Sequence, residues 1–567
     1  MKILSGLAAV ALATTTFVPS AASGAPVPPT QVAGDWIAAE LTDGLAVGQY
    51  GADVGLSIDA GLALDATGRA DTAAAIGDAI GDKLIATGPT DFGYVTSDEY
   101  DWQEPYGFVQ VGHYANATAK AAAFTQRIGR NPATAYAPVD LVDQLETLTD
   151  DATGVIADDS SFGNYANTIG QAFAAEALTV AGSAEADAAS AALLDQQCPA
   201  GYFRFDLAAT ACAADAAGQS PDTTALVVLS LLESGATSTD VAGAIADATA
   251  WLESIQHADG SLEGDASAPG SNANSTGLAG WALGNAGRDA AAGKAAAWVR
   301  SLQVADAGAC VSQAPTGAIA YNAADLTAAR SAGITSNATV RDKWRRTSFQ
   351  AAPALLWTPV ASAPLAITTP ATAVEKSSVT ATVRGLAAGE QACVSLGGDA
   401  RRVVGTGADL AVSFTLPAGA ASYAFKVATL GGTATSTTTA TVVPPVVVTP
   451  PAPTPTVGEL DAAKVEKVKS NRFTLSVDCE STVACTGTLT VRTARKVKVP
   501  GLVKRKVVTV ADRRYSVATG TEKKVVLKLT RTGRALVADD TLKVKAVQKA
   551  PGAQRSVTTF RLKAAKG

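Results

Sequence analysis

A repeated unit governs what this chain can fold into. One copy reads Trp251-Leu252-Glu253-Ser254-Ile255-Gln256-His257-Ala258-Asp259-Gly260-Ser261-Leu262 and runs on through Asn274-Ser275-Thr276 to Trp281-Ala282-Leu283. Further copies begin at Trp36, around Ile80, at Leu141, at Leu193 and at Trp298. Each is a helix ending near a Gly, a variable loop, and a second helix opened by Asp, Asn, Ser or Thr. One helix pair cannot bury both its faces, so such pairs stack on their neighbours. Six pairs closed into a ring, with one helix of each inside and one outside, leave no apolar end exposed. The spacing therefore predicts an all-α (α/α)6 toroid over residues 30–358.

The rest of the chain changes character. Residues 362–443 switch to Thr, Val and Ala in short Gly-bounded runs, which read as strands. Residues 444–458 form a Pro-rich linker. Residues 459–567 alternate apolar and polar side chains, as in Phe473-Thr474-Leu475-Ser476-Val477. The expected architecture is multidomain, a toroid followed by two all-β Ig-like sandwiches. Charge divides the same way. Residues 461–567 hold 25 Lys and Arg against 8 Asp and Glu, net +17, while the preceding residues carry a net −24. Such a tail either seeks a polyanion or merely solvates its strands. The expected partner is a cell-envelope polyanion or polysaccharide. Export would make nucleic acid an artefactual ligand.

Residues 1–25 read as a signal peptide: Lys2, an apolar run to Val18, then Ala21-Ala22-Ser23-Gly24-Ala25. No later run reaches the roughly 18 apolar residues of a membrane span, and no wall-anchoring motif follows. The expected location is secreted, extracellular or wall-associated. Cysteine usage fits. Cys198 and Cys212 bracket one loop, and Cys479 and Cys485 can staple a strand pair. Cys310 and Cys393 remain, to be bridged if toroid and first sandwich dock.

The Trp-x-x-x-x-Gln-x-x-Asp-Gly-Ser pattern of Trp251 to Ser261, with the following Asn-Ser-Thr and Ala-Leu, resembles the repeats of squalene cyclases and protein prenyltransferases. Leu56 to Leu64 and Gln196-Gln197-Cys198 to Gly201-Tyr202-Phe203 look like exported bacterial toroid proteins with such repeats and Ig-like tails. The resemblance covers about residues 30–358 and implies a fold rather than an activity. The Asp-x-Asp-Asp acid of the cyclases is missing, since Asp158-Asp159 stands alone. The prenyltransferase zinc set of Asp, Cys and His is not identifiable. The complement-type thioester, nucleophile elbow, phosphate loop and metalloprotease helix are absent too. With two His in the chain, a three-His zinc centre is excluded. Neither cofactor nor metal is expected.

Two stretches carry candidate chemistry. Polar residues expected at the inner-helix starts are Asp59, His113, Asn167, Asp222, Asn274 with Ser275 and Thr276, and Ser348. They read either as helix caps or as a polar ring receiving a ligand. The stretch 91–108 holds six of the chain's 31 aromatics and five carboxylates. Asp98, Glu99, Asp101, Trp102, Glu104 and Tyr106 stand out there, because rings beside acids suit sugar stacking and paired acids suit glycoside hydrolysis. Alternatively the stretch is an ordered loop plugging the toroid. The leading expectation is a non-catalytic binding toroid spaced or attached by sandwiches. The alternative is a secreted carbohydrate-active hydrolase or lyase.

Overall fold

Thirteen helices precede the first β domain among the residues described by the computed structural model, which are 27–89, 91–101, 103, 107–214, 218–441, 456–499, 502–538, 541–551 and 555–565. The expected signal peptide, residues 444–455 of the linker, and Trp102, Glu104 and Tyr106 lie outside them. The helices are α1 (Pro29–Ala39), α2 (Val54–Ala66), α3 (Ala70–Ile80), α4 (Ala115–Arg127), α5 (Leu141–Thr147), α6 (Thr168–Ala181) and α7 (Ala186–Leu194). They continue with α8 (Pro221–Glu233), α9 (Thr239–Ile255), α10 (Ala273–Asn285), α11 (Asp289–Leu302), α12 (Ala323–Ala332) and α13 (Ala338–Ala351), which runs on as a 3-10 turn to Trp357.

Helices α2, α4, α6, α8, α10 and α13 touch in that order and close on α2 again, which makes a ring. Helices α1, α3, α5, α7, α9 and α11 pack outside it, and α12 is an addition within the last loop. The toroid is therefore present. The inner helices are apolar nearly all round, as elements buried on both sides must be. In α10, eleven of the twelve residues from Ala273 to Gly284 are buried, Asn274 being the exception.

The repeat motif explains how neighbouring units join. Gln256 Nε2 donates to Gly260 O (3.1 Å) in its own loop and to Ala291 O (3.0 Å) on the next outer helix. Gln197 does the same with Gly201 and Ala244 of α9, at 2.9 Å each. Gln303 bonds Gly317 (3.5 Å) and then Pro29 of α1 (2.9 Å), so the same staple closes the ring. Each loop Gly sits at positive φ, +93° for Gly260. A Cβ on Gly260 would lie 2.3 Å from Lys294 O, so only Gly fits there on both counts.

The first β domain has a five-stranded and a three-stranded sheet around one core that includes Val394, Phe414 and Phe425. It forms one compact unit with the toroid. Cys310–Cys393 joins the two, and Asp306 takes ion pairs from Arg330 on one side and Arg402 on the other, each 3.0 Å. The chain from residue 444 is a separate unit. It too has a three-stranded and a five-stranded sheet, around Phe473, Leu489 and Phe560, with one helix, α14 (Arg531–Ala538). Cys479–Cys485 ties strand Arg472–Cys479 of one sheet to strand Cys485–Thr493 of the other. The expected Cys479–Cys485 staple is therefore present, and the two strands that it joins belong to different sheets. Cys198–Cys212 closes its loop as expected.

Candidate functional site

The helix caps are not the residues expected. Asn167 alone of the named set caps its helix, accepting from Gly170 N. Asp53, Ser220, Asn272 and Asn337 cap α2, α8, α10 and α13. Asp59 lies within α2, Asp222 and Asn274 in the first turns of α8 and α10, and Ser348 well inside α13. At α8 and α10 several cap-competent residues stand within five positions, so spacing alone does not single out the cap.

Thr276 and Ser348 instead belong to a set of side chains that registers the ring. A buried side chain four residues past the cap accepts the incoming loop's N–H: Ser57 from Ala46 (2.9 Å), Gln171 from Ile156 (3.0 Å), Thr224 from Phe203 (3.0 Å) and Thr276 from Leu262 (2.9 Å). Ser348 takes Ile319 N (2.9 Å) and is the counterpart in α13, which begins earlier than its neighbours. In α4 the position is Thr118, which receives the Gln144 amide (2.7 Å).

Two tiers of side chains flank this level. Two residues further on stand Asp59, Lys120, Phe173, Leu226, Leu278 and Gln350, one from each inner helix. All six line a cavity of about 190 Å3 within the ring, with Trp281 and Phe349. Two residues earlier, one helical turn above on the same faces, stand Gly55, Asn116, Ile169, Asp222, Asn274 and Arg346. The lower tier is polar on the α13, α2 and α4 side and apolar on the α6, α8 and α10 side. Lys120 Nζ lies 2.5 Å from Asp59 Oδ1 and donates to Gly55 O (3.0 Å). Asn274 Nδ2 donates to Gln350 Oε1 (2.6 Å), joining the tiers.

Asp222 stands apart electrostatically. Burial pushes its carboxyl up to about 6, despite a hydrogen bond from Ser275, and the Asp265 charge adds to the rise. Its Oδ1 is buried without a hydrogen-bond partner among the described residues, as is Asn274 Oδ1. Burial, then the charges of Asp222, Asp325 and Asp265, also raises the Tyr321 hydroxyl. At the far end of the inner helices, Arg127 grips Glu176 with two bonds (2.7 and 2.6 Å). Asp65 there is raised by burial and by Glu233.

The loops entering the inner helices gather around the Asp222 end. Residues 91–108 form no simple loop: Thr96–Asp101 and Gly107–His113 pair antiparallel, with Ile85–Ala86 alongside. Glu99, 1% exposed, accepts from Ser160 Oγ (2.5 Å), Ser161 N and Oγ (2.6 Å each) and Tyr114 Oη (3.3 Å). Burial pushes this carboxyl up, but those bonds outweigh it and hold it below its ordinary value. Glu99 thus anchors the hairpin to the loop before α6. Asp98 accepts from Tyr100 Oη (3.4 Å), Asp101 from Gln103 N, and His113 Nδ1 lies 3.4 Å from Thr96 Oγ1. Asp98, Glu99, Asp101 and His113 are not among the residues lining the cavity. Asp59 lines the cavity, with Asp222 and Asn274 in the tier above.

Sequence reasoning missed Lys120, Gln350 and Arg346, and also a groove of about 350 Å3 lined by Tyr50, Asp53, Lys83, Phe92, Tyr94, Asp342 and Arg346. Arg346 is fixed there by Asp53 (3.1 Å) and Asp342 (2.8 Å). Aromatic side chains exposed in these entry loops are Tyr50 (96%), Phe92, Phe108, Phe162, Tyr165 and Phe205. The findable signal was the four-residue step from helix start to a buried polar side chain, which aligns five of the six inner helices, with Ser348 the counterpart in α13.

No protein-family model matches this sequence, and neither does any curated protein. Solved structures similar to it include a protein from Actinoplanes, at 18% identity and TM-score 0.39 over 58% of this chain and 98% of that one. A glycosidase aligns at 13% identity and TM-score 0.38, over 58% of this chain and 97% of its own. A type II terpene cyclase from Scytonema aligns at 13% identity and TM-score 0.36, again over 58% and 97%.

Proposed function

We propose that the toroid binds a polyhydroxylated ligand, a glycan end or oligosaccharide, at the end of the ring where the inner helices begin. The observation that carries this reading is the pair of buried, unpartnered acceptors Asp222 Oδ1 and Asn274 Oδ1, in the tier above a cavity walled by Phe173, Leu226, Leu278 and Trp281. A buried acceptor without a donor costs about 1–3 kcal/mol, and sugar hydroxyls are donors. The apolar wall suits a ring face and the Asp59–Lys120 side suits hydroxyls. The cavity is below the roughly 300–1,000 Å3 of drug-sized sites, so it takes one ring and leaves further units to the aromatic-rimmed loops. The chain works as an exported protein whose Ig-like β domains space the toroid from a surface. Its three disulfides fit an oxidising compartment, and among the described residues no helix is long and apolar enough to cross a membrane.

Calorimetric titration with a panel of neutral oligosaccharides tests this. One or more should bind, and Lys120→Met with Asn274→Ala should weaken that binding at least tenfold. Failure of every neutral sugar to bind overturns the reading. A second reading, glycoside cleavage, is favoured by Asp222 alone, whose carboxyl holds its proton to about pH 6 as a general acid must. Reducing-end release that falls above pH 6 and is abolished in Asp222→Asn would establish it, and binding without release excludes it.

A further inference from the structure

The second β domain carries a strongly basic sheet face. In its five-stranded sheet the strands lie in the order Val465–Val468, Ser556–Ala564, Leu542–Lys549, Cys485–Thr493, Thr509–Val517. Inward positions such as Leu489, Val491, Val544, Ala546, Phe560 and Leu562 fill the core. The alternate positions point outward and carry the charge.

Register makes the charge unusual. Lys467 stands directly opposite Lys563, Lys543 opposite Arg561, and Arg492 opposite Lys545. Thr488 has Lys549 on one side and Arg514 on the other. All eight cations are exposed. Asp512 is the one acid at these outward positions, opposite Thr490. No ion pair forms among the described residues of this domain, whereas those of the toroid and first β domain form fifteen. Like charges placed directly opposite destabilise a sheet. A solubilising face needs mixed signs and gains nothing from three such pairs.

We propose that this face docks a linear polymer carrying one phosphodiester per short repeat and no bases. Cations recur about 5 Å apart across strands and about 7 Å along them. A chain charged at every short repeat meets a cation at each step, while a glycan charged only once per several sugar rings skips most of them. Lys predominates over Arg, five to three, which suits point contacts to phosphate rather than bidentate capture of planar carboxylates. The outward positions are otherwise Thr, Val and Ser, with no aromatic ring on which a base could stack.

The test uses the full chain and long-chain inorganic polyphosphate as probe, with affinity measured across a salt series. The unaltered chain binds at low salt and releases as salt rises. The triple variant Lys543→Glu, Lys545→Glu, Arg561→Glu should lose at least tenfold in affinity and flatten the log–log salt slope by about 2, near 0.7 per lost phosphate contact. The milder Lys543→Gln, Lys545→Gln, Arg561→Gln variant guards against misfolding and should lose less, in the same direction. A control triple on the other sheet, Arg472→Glu, Lys524→Glu, Lys528→Glu, changes net charge equally and should lose under threefold. Equal loss in both Glu triples means net charge alone acts and overturns the proposal. So does failure of the unaltered chain to bind polyphosphate, or tighter binding of single-stranded DNA than of polyphosphate at matched charge.

Discussion

At the scale of single residues, Asp222 makes the sharpest statement. Its carboxyl moves from 3.8 in a free chain to about 6 in the fold. The shift is upward, so the folded state prefers the neutral acid. Below about pH 4 the group is protonated in both states and has no effect. As pH rises from 4 to 6 the unfolded chain ionises first, and stability falls by about 3 kcal/mol, at 1.36 kcal/mol per unit. Above pH 6 this loss is complete. Asp222→Asn should therefore match the native protein near pH 4 and exceed it by about 2–3 kcal/mol at pH 7, measured by denaturant unfolding at both values. A variant that is less stable at pH 7 would show that the carboxylate makes favourable contacts in the fold. Little of this was legible beforehand. Composition marks Asp222 as polar near a helix start, but a carboxyl's burial depends on residues more than forty positions away, such as Asp265 and Ser275.

At the scale of elements, the repeat was legible because its physics is local. Outer helix, Gln, Gly and capped inner helix fall within some forty residues, and each residue type has one geometric task. The hairpin of residues 96–113 was hidden for the opposite reason. Its strands are rich in Asp, Glu and Gly, which β-strands disfavour, and they hold because Glu99 finds four donors, three of them from the Ser160–Ser161 turn. The Gln–Gly staple yields a clear expectation. Gly260→Ala forces a side chain to positive φ and onto Lys294 O, and should cost about 2–4 kcal/mol in thermal or denaturant unfolding. Gly287, also at positive φ but with nothing near its missing Cβ, isolates the strain. Gly287→Ala should cost about 1 kcal/mol. Equal losses at the two sites would mean that the close approach to Lys294 is immaterial.

At the scale of the whole molecule, the toroid and first β domain behave as one body because their joint is covalent and ionic at once. Cys310–Cys393 spans 83 residues, and the Asp306 ion pairs sit nearby, with Arg402 also donating to Cys310 O. A loop of that length contributes about 4.5 kcal/mol on the chain-entropy account. Cys310→Ser with Cys393→Ser should lower stability by about 2–4 kcal/mol and split one calorimetric transition into two, since each part has its own core. A single transition in the variant would show that the noncovalent joint suffices. The charge split between acidic body and basic end was plain from counting. The placement of that charge on one sheet face was not, because it depends on which strands become neighbours.

The staple from Gln303 to Pro29 also bears on how such a molecule can change over generations. An open stack of helix pairs has two ends, so a copy can be gained or lost there while every remaining copy keeps its neighbours. A circle has no such place. Removing one pair would oblige five units to span an angle shaped for six, and adding one would pry apart the seam where α13, α1 and α2 meet. Number is therefore frozen, and variety must enter elsewhere. The loops that lead into the inner helices are where the units differ, ranging here from residues 40–53, with three short strands, to residues 81–114, which hold the hairpin.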